Sequence, residues 1–433
     1  MSTSDSATTD KLRPFHAVVL LTLCLIPLAS CSLPLSTASI FYPSVVSYLG
    51  LSSTAELSVY QTFMSFAQIV TLIFAGKIIA KHDVRLVLTL SSLAIGAPFL
   101  AMSAFNAVWQ WYIAGVVQGI GIAFNLYIAI PTLVNRWFAN RIGFLVGLCM
   151  AFSSIGGIVF NLVAGWLVGM GPEGWRTGYL VFGILVLVTT VPFTIFGLRS
   201  FPSDVGLAPY AGGKEGAKTS VAATQNIGLT FGQATRKPAF WGMVLYAGIT
   251  TFTAISMTIL PTYAGSLSQT FPETAANAAL LLSMVSIGGM VGKFALGAIC
   301  DKSCNLAIGL AVGSGVVGYL LIWFMPGNLI VFLAGGFLFG LFFSTSTVIP
   351  PIICRTSFGN ADYSNIWSRT STFAQVFGAL ANAVWGLLAF GDFSVYFIAA
   401  LVGMAASCAL GFYAVIAGKK VISQVIAGSS TES

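Results

Sequence analysis

The chain has 433 residues, 57% of them hydrophobic and only 7% charged, with a formal net charge of +7. A water-soluble domain carries roughly a quarter charged residues, so the composition excludes a soluble enzyme. It also excludes a nucleic-acid-binding domain, which needs a basic face in water. Lipid must be the solvent for most of the surface.

A helix needs about 20 apolar residues to cross a bilayer. Twelve such stretches follow one another, at 15–41, 56–80, 86–106, 109–134, 142–168, 177–197, 239–264, 276–299, 305–325, 329–353, 365–389 and 394–417. None alternates as the strands of a membrane β-barrel do. The expected fold class is therefore all-α integral membrane, with twelve transmembrane helices. The first stretch contains Pro27 and Pro34, is too long for a signal peptide and ends in no clear small-residue cleavage site. It is expected to be a retained helix.

Charge placement orients these helices. With the N-terminus inside, 16 of the 19 Lys and Arg fall on the cytoplasmic side, Arg176 falls outside, and Lys293 and Arg369 lie within helices. This asymmetry predicts a multi-pass protein of the inner membrane with both termini cytoplasmic. The positive charge then reads as topology and attraction to the inner leaflet.

Residues 199–237 form the one long polar interruption, with a Gly-rich charged run from Ala211 to Thr219. It divides the chain into an N-terminal bundle of six helices (1–198), a cytoplasmic linker (199–237) and a C-terminal bundle (238–433). The halves resemble each other. Gly76–Lys81 follows the second helix as Gly297–Lys302 follows the eighth. Pro131 and Arg136 at the end of the fourth helix return as Pro350 and Arg355 at the end of the tenth, at nearly the same offset. Two pseudo-symmetric bundles rocking about a site between them are the expected machine.

The Gly-x-x-x-[Asp]-Lys loops resemble the signature found twice in the major facilitator superfamily, after helices 2 and 8. Asn135-Arg136-Trp137-Phe138, Arg141-Ile142-Gly143, Gly156-Gly157 and Gly174-Trp175-Arg176 are similar to a run in its oxalate/formate-exchanger and monocarboxylate-porter branch. So are Pro202 to Leu207 with Pro209, and Pro238-Ala239-Phe240-Trp241. The resemblance implies a carrier of small organic anions that works by alternating access, with no cofactor and no metal, acting as a monomer in the lipid bilayer. It implies gating roles for Gly76, Lys81 and Arg85 in the first loop and Gly297, Asp301 and Lys302 in the second. Ala80 departs from the pattern by standing where the first loop usually has its Asp. The latch is therefore expected to depend more on Asp301.

An ionisable group inside the membrane is costly and points to function. Lys293, four residues ahead of Gly297, matches the place where the family holds a substrate carboxylate with Arg. The competing reading is a Lys that snorkels to the interface, but Gly288, Gly289 and Gly292 argue for a packed face. Arg369 is either a second substrate cation, suited to a dianion, or an interfacial anchor. Asn125, Tyr127, Tyr246, Tyr263, Ser344 and Thr345 are candidates to complete a site, or to bond between helices.

All 12 carboxylates lie in loops, tails or at helix ends, which favours exchange or facilitated anion movement over a buried proton relay. Only His16 and His82 are available as histidines, both interfacial, so bis-His haem in the membrane is excluded. Cys300 and Cys304 have no His nearby and are expected to be structural thiols rather than a metal site or a disulfide. A facilitator of a neutral or amphipathic solute, with Lys293 structural, is the alternative function.

Overall fold

The computed structural model describes residues 12–52, 54–212, 228–389 and 393–431. Lys11, Lys214 and Lys218, and with them most of the Gly-rich linker, lie outside the described residues. Among the described residues, twelve helices are long and apolar enough to cross a membrane. They are α1 (Pro14–Leu49), α2 (Glu56–Lys81), α3 (Val84–Met102), α4 (Val108–Trp137), α5 (Ile142–Val168) and α6 (Gly174–Gly197). The rest are α7 (Pro238–Ser266), α8 (Ala278–Cys300), α9 (Cys304–Phe324), α10 (Leu329–Phe358), α11 (Tyr363–Leu388) and α12 (Phe393–Ala427).

The helix ends carry the expected chemistry. Asp83 accepts the Arg85 N–H at 2.9 Å ahead of α3, Ser303 accepts from Leu306 at 3.3 Å ahead of α9, and Asn328 accepts from Val331 at 3.2 Å ahead of α10. Pro238 opens α7, where its missing N–H costs nothing. Gly50, at φ +64°, closes α1 in the left-handed conformation that glycine adopts without strain. Large apolar side chains on the outer faces stay uncovered, with Leu162 74%, Leu387 76% and Ile330 80% exposed. So many would be untenable in water, and they form the lipid-facing surface.

The helices group into two compact units. One comprises Met1–Asn140 and Phe152–Ala223, the other Arg141–Ala151 and Thr224–Ser433. The first part of α5 thus packs with the second unit. In the first unit α2 lies against α4, and α3 against α6; in the second, α8 lies against α10, and α9 against α12.

The same crossing is built twice, residue for residue. A Cβ at Gly119 of α4 would stand 2.3 Å from the Met64 carbonyl oxygen of α2, and one at Gly340 of α10 would stand 2.2 Å from the Val285 carbonyl of α8. Gly115 and Gly336 repeat the close approach to Tyr60 and Leu281. All four positions recur at one and the same offset along the chain. Small residues let the backbones meet where lipid offers no hydrophobic drive for association.

Candidate functional site

In the first unit, the irregular turns come first. α1 contains two π-helical stretches, Ile26–Cys31 and Leu33–Thr37, and α4 contains one, Ala123–Ile128. Pro27 and Pro34 have no N–H to give to the ordinary helical ladder. The α4 turn has a different origin. The chain from Gly119 to Pro131 is longer than the equivalent stretch from Gly340 to Pro350 in α10. The extra residues are absorbed as wide turns, which are frequent at functional sites. The π stretches of α1 and α4 pack on one another. Irregular backbone at this depth is tolerated where it is buried in protein or lines a cavity.

Asn125 sits in the α4 turn, fully buried, and donates from Nδ2 to the Ser92 hydroxyl at 3.2 Å. Its Oδ1 receives no hydrogen bond, nor do the buried hydroxyls of Ser30 and Thr132 find a partner. Tyr127, in the same turn, is half-buried. Ser30 and Asn125 lie within the π stretches and Thr132 one turn beyond, and such unpartnered atoms are what a polar solute would satisfy.

The second unit handles its breaks differently. α7 tightens into a 3-10 turn at Ile255–Ile259, ahead of Pro261. Its loosened carbonyls are captured by side chains: Trp385 Nε1 donates to the Phe252 oxygen at 2.7 Å and the Tyr396 hydroxyl to the Ser256 oxygen at 2.9 Å. α10 breaks at Ser344, whose hydroxyl turns back to the Leu341 carbonyl at 2.7 Å. Thr345 is fully buried with a hydroxyl that meets no partner.

Lys293 is only 5% exposed. On one side of α8, Gly288 and Gly292 meet Phe337, Leu341 and Ser344 of α10; on another, Gly147 of α5 rides on the Lys293 carbonyl. Tyr246 and Tyr263 make contacts of their own. Tyr246 abuts Gly411 of α12, while the Tyr263 hydroxyl reaches the carbonyls of Ile322 and Trp323 at 3.5 and 3.4 Å. The Tyr263 ring also packs on Phe393 and Phe397. Arg369 is half-buried, with its guanidinium 5.7 Å from the Phe231 ring ahead of α7.

The two signature loops differ sharply. After α2, Gly76 lies within the helix and Lys81 ends it, exposed. Arg85 grips Asp83 through Nε and Nη2 at 2.9 and 2.6 Å, which holds the Asp83 carboxyl below its ordinary range. After α8, Asp301 accepts the N–H groups of Gly143 and Phe144 at 2.6 and 2.9 Å and so caps the start of α5. Much of Asp301 faces solvent, yet burial of its carboxyl pushes the pKa up. The two N–H bonds and the charges of Arg355 and Arg141 pull it back. Gly297 crosses Gly143 so closely that a Cβ would stand 2.3 Å from the Gly143 oxygen. Lys302 is exposed beside them.

One expectation fails here. Cys300 and Cys304 are joined as a disulfide with Cα atoms 4.1 Å apart, not left as separate thiols. The short turn from α8 into α9 brings them together, which a compartment argument could not foresee. Among the described residues, no three His, Cys, Asp or Glu side chains gather to hold a metal.

Twelve spanning helices in a twice-built pattern, with polar breaks inside the bundles, define a membrane transporter rather than an enzyme. The family model described as Major Facilitator Superfamily matches residues 25–381, and the chain belongs to that superfamily. It is 24% identical over 316 residues to the uncharacterized MFS-type transporter YhjX of Escherichia coli strain K12, covering 70% of this chain and 73% of that one. It is 30% identical over 145 residues to human monocarboxylate transporter 1, a stretch of 33% of this chain and 27% of the relative. Among solved structures, the proton:xylose symporter XylE superposes with a TM-score of 0.67 at 13% identity, over 94% of this chain and 95% of that one. At that identity the likeness speaks for the fold.

Proposed function

We propose that this transporter moves small organic anions, mono- or dicarboxylates, by alternating access, as an exchanger or facilitator. The observation that carries the reading is Lys293, a cation withdrawn from lipid and held between packed glycine faces of α8. A carboxylate leaving water needs a fixed positive partner, because unpaired charge is far costlier at low effective dielectric. In the second unit Thr345, with its unpartnered hydroxyl, and Ser344 are the polar candidates; Asn125 and Tyr127 are those of the first unit. Tyr246, whose buried hydroxyl meets no partner, is a further candidate, while the Tyr263 hydroxyl is engaged by the carbonyls of α9. Arg369 is a second cation for a dianion, or an anchor clasped to Phe231. The stretch similar to monocarboxylate transporter 1, and the runs from Asn135 to Arg176 that resemble the oxalate/formate branch, lend this reading support.

The remaining features belong to the same proposal. The bundles 1–198 and 238–433 carry the two halves of the cycle, with 199–237 linking them. The signature loops gate it, and the protein sits as a monomer in the cytoplasmic membrane with both termini inside. A thiol placed at Lys237 should then label from the cytoplasm and one at Glu273 from outside. Reversed labelling would overturn the orientation.

The test is counterflow of labelled carboxylates in proteoliposomes. Lys293→Gln should fold, since a neutral side chain is cheaper to insert. It should cost roughly 2–5 kcal/mol of anion binding, the scale of losing one partner of a buried charge pair. Lys293→Arg should retain part of the activity, with preference shifted toward substrates that a planar fork can grip. Loss confined to dicarboxylates in Arg369→Gln marks a two-cation site, and no loss marks an anchor. Wild-type affinity in well-expressed Lys293→Gln would give the function to the neutral-solute facilitator.

A further inference from the structure

A second cation-rich place lies in the first unit, apart from Lys293. The ends of α2, α4 and α6 and the start of α3 enclose a cavity of about 460 Å³, lined among others by Lys81, Arg85, Arg136, Arg199, Asp83 and Asp204. Four cations face two carboxylates, so the lining keeps a net positive charge even with Asp204 acting on Arg136 and Arg85 and Asp83 on Arg199. Asp83 is engaged by Arg85 at 2.6 Å, and Asp204 accepts the Phe201 N–H of its own turn at 2.9 Å.

Lys81, Arg136 and Arg199 pair with no carboxylate among the described residues, yet both guanidiniums are fixed in place. Arg136 spans from the Ile79 carbonyl at 3.5 Å to the Ser200 carbonyl at 3.4 Å, with Phe201 stacked 4.6 Å away. Arg199 donates to the Leu198 carbonyl at 2.6 Å and lies 5.7 Å from the Phe15 ring. These are long or neutral contacts. They position the charges and leave most of the five N–H donors of each fork unclaimed.

The equivalent corner of the second unit shows what is missing. There Asp301, at the repeat position of Ala80, puts a carboxylate beside Arg355, the counterpart of Arg136. The first unit has a methyl group at that position, and the opposing charge on Arg136 comes from Asp204 beyond α6, which is shared with Arg85. An anion from outside would complete it, and paired guanidiniums with an ammonium match the geometry and charge of a phosphate group. The cavity sits at the ends of spanning helices, and basic residues in such positions attract anionic headgroups.

We propose that this corner of the first unit is a phosphate-binding site, taking either the headgroup of an anionic phospholipid or free inorganic phosphate. The site is independent of the transported solute and of Lys293.

The test uses the full chain, purified and stripped of lipid. Phosphatidylglycerol retention is read by native mass spectrometry against phosphatidylcholine, and inorganic phosphate is titrated while the melting temperature is followed. Retention of phosphatidylglycerol, weakened about fivefold each in Lys81→Gln and Arg199→Gln and unchanged in Lys420→Gln, identifies the headgroup. A phosphate-dependent rise in melting temperature, lost in the same two variants, identifies the free ion. Arg136→Gln should abolish either signal, and the two milder variants decide if it fails to fold. Ala80→Asp, which restores an internal carboxylate, should weaken binding as well. Equal weakening by Lys420→Gln, or no response to either probe, would overturn the proposal.

Discussion

The corners that follow α2 and α8 descend from one pattern and have gone separate ways. The α8 corner closes on itself: Asp301 caps the start of α5, and two glycine backbones cross beside it. The α2 corner keeps Lys81 and Arg136, counterparts of Lys302 and Arg355, around Ala80, and its ion pair, Asp83 with Arg85, is local and exposed. A duplicated unit thus keeps its packing, repeated through Gly119 and Gly340, while its charges drift. Backbone contact leaves no room for a side chain, whereas a carboxylate at a helix end can be lost at a cost of about 0.5–2 kcal/mol. The membrane interior shows the same asymmetry. The first unit offers neutral Asn125, and the second offers Lys293.

This contrast can be broken by substitution, beginning where backbone meets backbone. Gly297→Val puts branched carbon where only 2.3 Å separates a Cβ from the Gly143 oxygen. It should destabilise by about 3 kcal/mol or more, at the upper end of overpacking, seen as loss of monodisperse protein on solubilisation. Gly165→Ala in α5, with open space around it, should be harmless. Asp301→Ala removes a cap and should cost about 0.5–2 kcal/mol, read as a lower melting temperature. Asp83→Ala, in the exposed counterpart, should cost roughly 0–1 kcal/mol, screened further by salt. If Asp83→Ala proved the more damaging of the two, the two loops would have exchanged roles.

Most of the fold was legible because hydropathy over a whole membrane span is a coarse and robust signal. Its ends were not. The first helix was expected to stop at 41 and runs to Leu49, since Pro27 and Pro34 bend the ladder into π turns without ending it. The last was expected to stop at 417 and continues past Lys419 and Lys420 to Ala427, beyond what an apolar window detects. At the candidate site, the glycines beside Lys293 carried its burial in plain view. Tyr246 and Tyr263 could not be sorted, because a tyrosine looks the same in sequence whether it lines a cavity or bonds a neighbouring helix. The π turn of α4 did leave a trace, the slip in repeat spacing between the Gly119–Gly340 pair and the Pro131–Pro350 pair.

Arg141, immediately before α5, has φ +54°, the only positive φ outside glycine among the described residues. A left-handed turn at a side-chain-bearing residue costs about 1–2 kcal/mol, close to what the Asp301 cap returns. The start of α5 consequently sets a local backbone cost against a carboxylate cap, two opposed contributions of similar size within three residues. Arg141→Gly would remove the cost and keep the cap, so the start of α5 would be held more firmly than in the natural chain.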